Sequence, residues 1–276
     1  MKYFKKIILS ITIVLSILSL MACSNHKQKP TSNSEDNNKI IIGLSPTPHK
    51  EIIENLKEDF KNENLDVEII LYENYVEPNL DLASGKIDAN YFQHKPFFDI
   101  FSKEHNLDLK SLGSIHIEPI GIYSSKYSSL DDLKEFDTIT IPNDSSNKSR
   151  SLRLLHNANI IKLKNPDFIN LSNFDIEENT KNLDFVFKNP EDILKNFSDS
   201  EIIILNSNFA LSNGIDPIKD SLFLEDIDSP YANIITIRKE DEENEKYQKF
   251  IQIIQSEKTK EFINKSYNGS VIATFK

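Results

Sequence analysis

The chain has 276 residues, 38% of them apolar, and a formal net charge of −11. An acidic surface repels nucleic-acid phosphates and anionic headgroups, which speaks against a nucleic-acid partner and against polybasic membrane attachment. One cysteine in the whole chain excludes an intramolecular disulfide and a thiolate metal cluster.

Met1–Lys6 is short and basic, and Ile7–Leu20 is apolar without a charge. That layering is the n-region and h-region of an export signal, placed here over residues 1–22. The apolar run is short for a permanent span, which needs ~20 residues. Leu20-Met21-Ala22-Cys23 resembles the bacterial lipobox, in which the cysteine thiol takes a diacylglycerol and cleavage falls just before it. The resemblance implies a lipidated Cys23 with no thiol left for catalysis. Ser24–Asn38 holds no large apolar residue, so residues 23–38 read as a lipidated tether.

From Lys39 onward, strand-like runs alternate with helix-like stretches. Lys39–Leu44 has strand length, and Thr47-Pro48 reads as an N-cap followed by proline at the first helical position. Ile52, Ile53, Leu56 and Phe60 follow at helical spacing. Val67, Ile69 and Leu71 alternate as in a half-buried strand. Pro78 opens a short helix that Gly85 closes. Ile87–Phe92 suggests a strand, and Pro96 opens a helix carrying Phe97, Phe98 and Phe101. Further strands are expected at Ile120–Tyr123, Thr138–Ile141, Leu183–Phe187, Ile202–Leu205 and Ala232–Ile237, with a helix over Ser149–Asn157. The C-terminus is helical through Tyr247, Phe250, Ile251 and Ile254, then Phe262, Ile263 and Tyr267, and Gly269 ends it. The alternation predicts an α/β architecture with largely parallel sheets. By pattern alone it fits a single sheet or two lobes facing a cleft.

The chain has no Gly-rich phosphate loop, and six glycines leave little material for one. No H-E-x-x-H and no G-x-S-x-G is present. Two segments stand out instead. Tyr75–Asn79 and Asp88–Phe97 bring Phe92, His94 and Phe97 together at a strand-to-helix junction. There they form either a slot for an apolar, polarisable side chain or core aromatics with His94 as a cap. Ile141–Arg150 is a polar turn leading into a helix. Arg150 is either solvated or able to grip a carboxylate through two parallel hydrogen bonds. Asn206 and Asn233, near strand ends, serve turn chemistry or a ligand.

YVEPNLDLASGKIDANYFQHKPF, IHIEPIGIYSSK, SLDDLK, IPNDSSNKSRSL and LFLEDIDSPYANII follow one another in this order. Together with the lipobox they resemble the NlpA-type methionine-binding lipoproteins, the substrate-binding components of methionine ABC importers. The likeness covers nearly all of Lys39–Thr274. It implies a two-lobed, periplasmic-binding-protein-like (type II) α/β fold with the ligand cleft between the lobes. Residues 39–119 plus 231–276 would form lobe 1, and residues 120–230 lobe 2. It implies a binding protein rather than an enzyme, without cofactor or metal, lipid-anchored at the extracytoplasmic face of the cell membrane. Its partners would be methionine or a similar small amino acid and an importer permease with its ATPase. D-Methionine, another amino acid or a short peptide are the alternative ligands.

The resemblance also implies a site. Tyr75, Phe92 and His94 would line the side-chain pocket, and Phe97 stands where many relatives have Tyr. Glu118 matches the HIEP form of its motif. Arg150 matches the carboxylate-binding arginine, preceded here by Lys148-Ser149 in place of a Gly-containing pair. Asn206 and Asn233 match asparagines that contact the ligand backbone. A zwitterion leaving water must keep its charges paired. Arg150 would hold the carboxylate, the amide oxygens with Glu118 would accept from the ammonium, and the rings would enclose the thioether.

Overall fold

The computed structural model describes residues 38–276. The export-signal and lipidation assignments on residues 1–23, and the tether as far as residue 37, lie outside the described residues. Among the described residues, no helix is long and apolar enough to cross a membrane.

The chain first lays down β1 (Lys39–Leu44), β2 (Asp66–Leu71), β3 (Ala89–His94) and β4 (Leu109–Ile117). After Glu118-Pro119-Ile120 it enters a second sheet with β5 (Gly121–Tyr123) and β6 (Thr138–Pro142). A small two-stranded pair, β7 (Lys162–Leu163) and β8 (Ile176–Glu178), stands apart. The second sheet is completed by β9 (Asp184–Lys188), β10 (Ile202–Leu205) and β11 (Phe223–Leu224). The chain then returns through β12 (Ala232–Arg238) and β13 (Ile272–Ala273). The first sheet runs β13-β4-β12-β3-β1-β2 and the second β11-β5-β10-β6-β9.

The alternation of strands and helices points to largely parallel sheets, and here the structure differs. Both sheets are mixed. β1, β2 and β3 pair in parallel, but β12 runs antiparallel to β3 on one side and to β4 on the other. In the second sheet β6 is parallel to β9 and β10, while β5 is antiparallel to β10 and β11. The strands that break the pattern are those beside the two crossings. A strand arriving from the other sheet needs no crossover helix, so nothing forces it to be parallel.

Each sheet is covered on both faces. In the first, Ile40, Ile42, Leu44 and Tyr91 pack with Ile52, Ile53, Leu56 and Phe60 and with Phe250 and Ile254. Ile87, Leu82, Phe98 and Tyr72 form a separate cluster. In the second, Ile202 and Ile204 join Leu152 and Leu155, while Ile203 and Leu205 join Tyr123 and Ile193. This is why β10 reads as an unbroken apolar run: both sides of it are buried. Each such side chain contributes ~1.5–3 kcal/mol of burial.

The helical spacing of Ile52, Ile53, Leu56 and Phe60 gives two short helices, Glu51–Asn55 and Lys57–Asn62, with Leu56 leaving helical geometry between them. All four side chains are still buried. Pro78 sits in the first turn of Glu77–Ser84, and Gly85 closes that helix at φ 80°, a conformation glycine takes without strain.

Candidate functional site

Three strand ends place the site. Asn233 on β12 sits in register with His94 on β3 and with His116 on β4, so the three form one row across the first sheet. The register of β12 shifts just after this row, against both neighbours. Bulges of this kind re-aim side chains at sheet edges and near functional sites. From the second sheet, β6 feeds the Ser145–Asn157 helix that carries Arg150, and β10 ends at Asn206, the N-cap of Ser207–Ser212. Glu118 lies on the crossing between the sheets.

These groups border one cavity with about 20 Å³ of free internal space. Tyr75, Phe92, His94 and Phe97 line it, as do Glu118, Arg150, Asn206 and Asn233. All eight residues singled out in the sequence therefore border one space. The roles assigned to them need adjustment.

The aromatic part is a cluster of Tyr75, Phe92, Phe97 and Phe101 against the partly buried Phe209. Tyr75 meets Phe92 at 6.0 Å, Phe97 at 5.9 Å and Phe209 at 5.3 Å between ring centroids. The Tyr75 hydroxyl donates to Asn208 Oδ1 at 2.6 Å, so the ring is held by a residue from beyond β10. Burial pushes the Tyr75 hydroxyl well above its ordinary pKa, which keeps it a neutral donor.

His94 is both a cap and a cavity residue. Its Nδ1 accepts from the Phe97 backbone N–H at 3.1 Å and starts the Lys95–Glu104 helix. The proton therefore sits on Nε2, which donates to Asn147 Oδ1 at 3.1 Å. With both nitrogens engaged, the imidazole presents its ring to the cavity. Burial, then the charge on Arg150, lowers its pKa to about 3 and keeps it neutral.

Arg150 is 3% exposed and does not offer the two-pronged edge expected of it. Nε donates to Glu225 Oε1 at 2.9 Å, and Nη2 donates to Glu225 Oε2 and to the Glu118 carbonyl oxygen. The guanidinium carbon lies 4.2 Å from the centre of the Tyr231 ring. Among the described residues, no side chain or carbonyl accepts from Nη1. Burial works against the charge, but Glu225 outweighs it and raises the Arg150 pKa.

The asparagines divide the work differently from the expected pair of ammonium acceptors. Asn206 Nδ2 donates to Asn147 Oδ1 at 2.9 Å, while its own Oδ1 is buried without a partner. A buried acceptor left open at a cavity wall is suited to a ligand N–H. Asn233 Oδ1 already accepts from His49 Nε2 at 3.1 Å, which leaves its amide nitrogen as a donor. Asn233 thus suits a ligand oxygen rather than an ammonium.

Glu118 is 6% exposed. His116 Nε2 lies 2.6 Å from its Oε1 and His49 Nε2 lies 3.4 Å from the same oxygen. Burial raises its pKa, and His49, Arg150 and the Asn208 backbone N–H pull it back. His49, His116 and Glu118 bring three possible metal ligands within 4.8 Å of one another. The 2.6 Å separation of His116 Nε2 and Glu118 Oε1 is hydrogen-bond length.

His49, Asn147, Asn208 and Glu225 escaped the sequence reading. Asn147 lies three residues before Arg150, on the same side of its helix, and Glu225 lies within LFLEDIDSPYANII. Those positions were the available signals. Nothing local marks His49 or Asn208.

The family model for the NlpA lipoprotein matches residues 40–275. The chain belongs to the NlpA lipoprotein family. Among its relatives is the D-methionine-binding lipoprotein MetQ of Salmonella typhi, 36% identical over 262 residues that cover 94% of each chain. The methionine-binding lipoprotein MetQ of Bacillus subtilis is 33% identical over 274 residues, 97% of this chain and 98% of that one. Among solved structures, a nutrient-binding protein from Burkholderia cenocepacia bound to methionine is 37% identical, with a TM-score of 0.83 over 86% of this chain and all of that one. The methionine-binding protein MetQ aligns with a TM-score of 0.84 at 35% identity, over 87% of this chain. The two-lobed binding-protein fold implied by the sequence is the fold of these NlpA relatives.

Proposed function

We propose that this protein is a solute-binding lipoprotein that captures methionine and delivers it to an ABC importer. One observation carries the reading. A single buried cavity joins an aromatic cluster to a guanidinium, an open amide acceptor and a carboxylate, in a chain whose relatives are methionine-binding lipoproteins. Arg150 Nη1 and the Asn233 amide nitrogen take the ligand carboxylate. Asn206 Oδ1 and Glu118 take the ammonium, and Tyr75, Phe92 and Phe97 enclose the thioether.

The proposal extends to the whole chain. Lobe 1 comprises residues 39–119 and 231–276, and lobe 2 residues 120–230, in keeping with the two sheets. Residues 1–22 are removed on export, and acylated Cys23 holds the protein at the extracytoplasmic face. The loaded protein docks on a permease driven by its ATPase.

Calorimetric titration of the purified chain with L-methionine tests the reading. Affinity of micromolar or better is expected, about −8 kcal/mol. Absence of both heat and a thermal shift rejects methionine. Repeating the titration with D-methionine sets the stereochemical preference. A second reading has support of its own. A larger cavity of about 250 Å³ adjoins the first and shares Tyr75 and Phe97 with it. That space supports a longer ligand such as a short peptide, and mass spectrometry of the co-purified ligand separates the two.

A further inference from the structure

The polar wall of the cavity holds one acid, Glu118, and one guanidinium, Arg150, and Glu225 stands behind the guanidinium. Arg150 and Glu225 neutralise each other. Glu118 has no lysine or arginine side chain in a salt bridge among the described residues; its ionic neighbours are His49 and His116. Both imidazoles are buried and neutral, with pKa values lowered by burial to about 4 and about 3. The carboxyl of Glu118 is thus a cavity acid that no guanidinium or ammonium touches, with Arg150 acting on it only from a distance, and a chain of hydrogen bonds leads to it.

The chain starts at Tyr91, fully buried on β3. Its hydroxyl bonds His116 Nδ1, a contact in which either atom can donate, and the relay takes the phenol as the donor. Nδ1 is then an acceptor, which places the imidazole proton on Nε2. Nε2 donates to Glu118 Oε1 at 2.6 Å. The arrangement resembles a metal ligand's carboxylate support run in reverse: here the imidazole orients the acid. Tyr91 and His116 sit on β3 and β4 on either side of β12, so the relay is fixed by the sheet itself. His49, in contact with both rings at 4.6 Å and 5.0 Å, closes the space around it.

We infer that His116 is a positioning residue that, backed by Tyr91, holds Glu118 deprotonated and aimed at the cavity, so that the site reads a free ammonium on its ligand. The inference deepens the proposed function and rests on it for the identity of the ligand alone. A buried carboxylate that accepts N–H donors keeps its charge against desolvation, and an uncompensated buried charge demands a cation. An amino acid with a free α-ammonium supplies one. An N-acylated amino acid supplies a neutral amide and leaves Glu118 unpaired. The groups that face Glu118 electrostatically are His49, His116, Arg150, Tyr75, Tyr91 and Tyr267. Of these, the relay assigns the orienting role to His116.

Nuclear magnetic resonance of the ligand-free protein tests the relay without reference to methionine. In protein carrying 15N-histidine at pH 7, His116 should be neutral with its proton on Nε2. The Nδ1–H tautomer, or an imidazolium, overturns the inference. In protein carrying 13C-glutamate, the Glu118 carboxyl signal is identified by its loss in Glu118→Gln. Its titration midpoint should rise by about one unit in His116→Leu and return toward the original in His116→Gln. An unchanged midpoint in His116→Leu overturns it. Should His116→Leu fail to fold, Tyr91→Phe deletes one oxygen, and the same upward shift, smaller in size, is required. The binding arm compares L-methionine with N-acetyl-L-methionine: His116→Leu should weaken methionine about tenfold and leave the acetylated compound's weaker binding within twofold or still undetectable. Equal tenfold losses for both ligands overturn the inference. If methionine does not bind but the resonance results hold, the ligand assignment fails and the relay stands.

Discussion

The aromatic and polar parts of the cavity are built by opposite rules. The aromatic part, Tyr75, Phe92, Phe97 and Phe101, is a small satellite core that packs by shape, and one hydroxyl needs a partner. The polar part is a lattice in which nearly every atom is already bonded. Arg150 is clamped by Glu225, Asn147 serves both His94 and Asn206, and His49 serves Asn233. Only a few groups are left over, and those leftovers define what can bind. Apolar enclosure tolerates exchange of similar rings, whereas removing one member of a bonded set strands its partners in low dielectric.

That contrast can be broken in several ways, the largest expected effect being on stability in acid. His49, His94 and His116 have folded pKa values of about 4, 3 and 3, below the 6.5 of an exposed imidazole. On acidification the unfolded chain takes up protons that the folded chain refuses. Their contribution is therefore complete above pH ~6.5 and is lost progressively as pH falls toward 3–4. Glu118 and Asp144 have raised values and act in the opposite sense, favouring the fold at low pH. We expect the histidines to dominate and the melting temperature to fall steadily from pH 6.5 to pH 4.5. A flat profile over that range means the polar lattice does not exclude protons as described.

Next in size is Arg150→Ala. Loss of the guanidinium leaves Glu225 buried without its partner and removes the carboxylate donor. Such truncations cost ~2–5 kcal/mol, so methionine affinity should fall about thirtyfold or more by calorimetry. Near-native affinity in this variant places the ligand elsewhere. Phe92→Leu keeps an apolar group in the aromatic part and should cost about 1 kcal/mol, roughly fivefold in affinity. A loss as large as that of Arg150→Ala erases the distinction between the two parts. The smallest effect is expected from Phe97→Tyr, which supplies the hydroxyl many relatives carry. Affinity should stay within about threefold, since one added hydroxyl at a cavity wall gains at most a modest hydrogen bond. A tenfold gain in the same titration marks that position as a polar contact.

Much of the fold was legible. β1, β2, β6 and β10 follow from apolar runs or alternation, and Pro78 with Gly85 bounds its helix. The antiparallel course of β12 was not, because Ala232–Arg238 reads the same in either direction, and its partners β3 and β4 lie more than a hundred residues away. The eight residues named through the resemblance border one cavity. Their detailed roles were not. Nothing near Arg150 in the sequence says that Glu225, 75 residues on, takes its Nε–Nη2 edge. Nothing near Asn233 says that His49, 184 residues before it, has taken its oxygen.

The sequence by itself determined the acidic balance, the strand and helix spacing and the family motifs, because each is written in local composition and short-range order. Which lone pairs and N–H groups remain open for a ligand was decided only by the tertiary structure. Hydrogen bonding saturates: each donor and acceptor is used up by whichever partner the folded chain brings within about 3 Å, and that partner can come from anywhere along the chain.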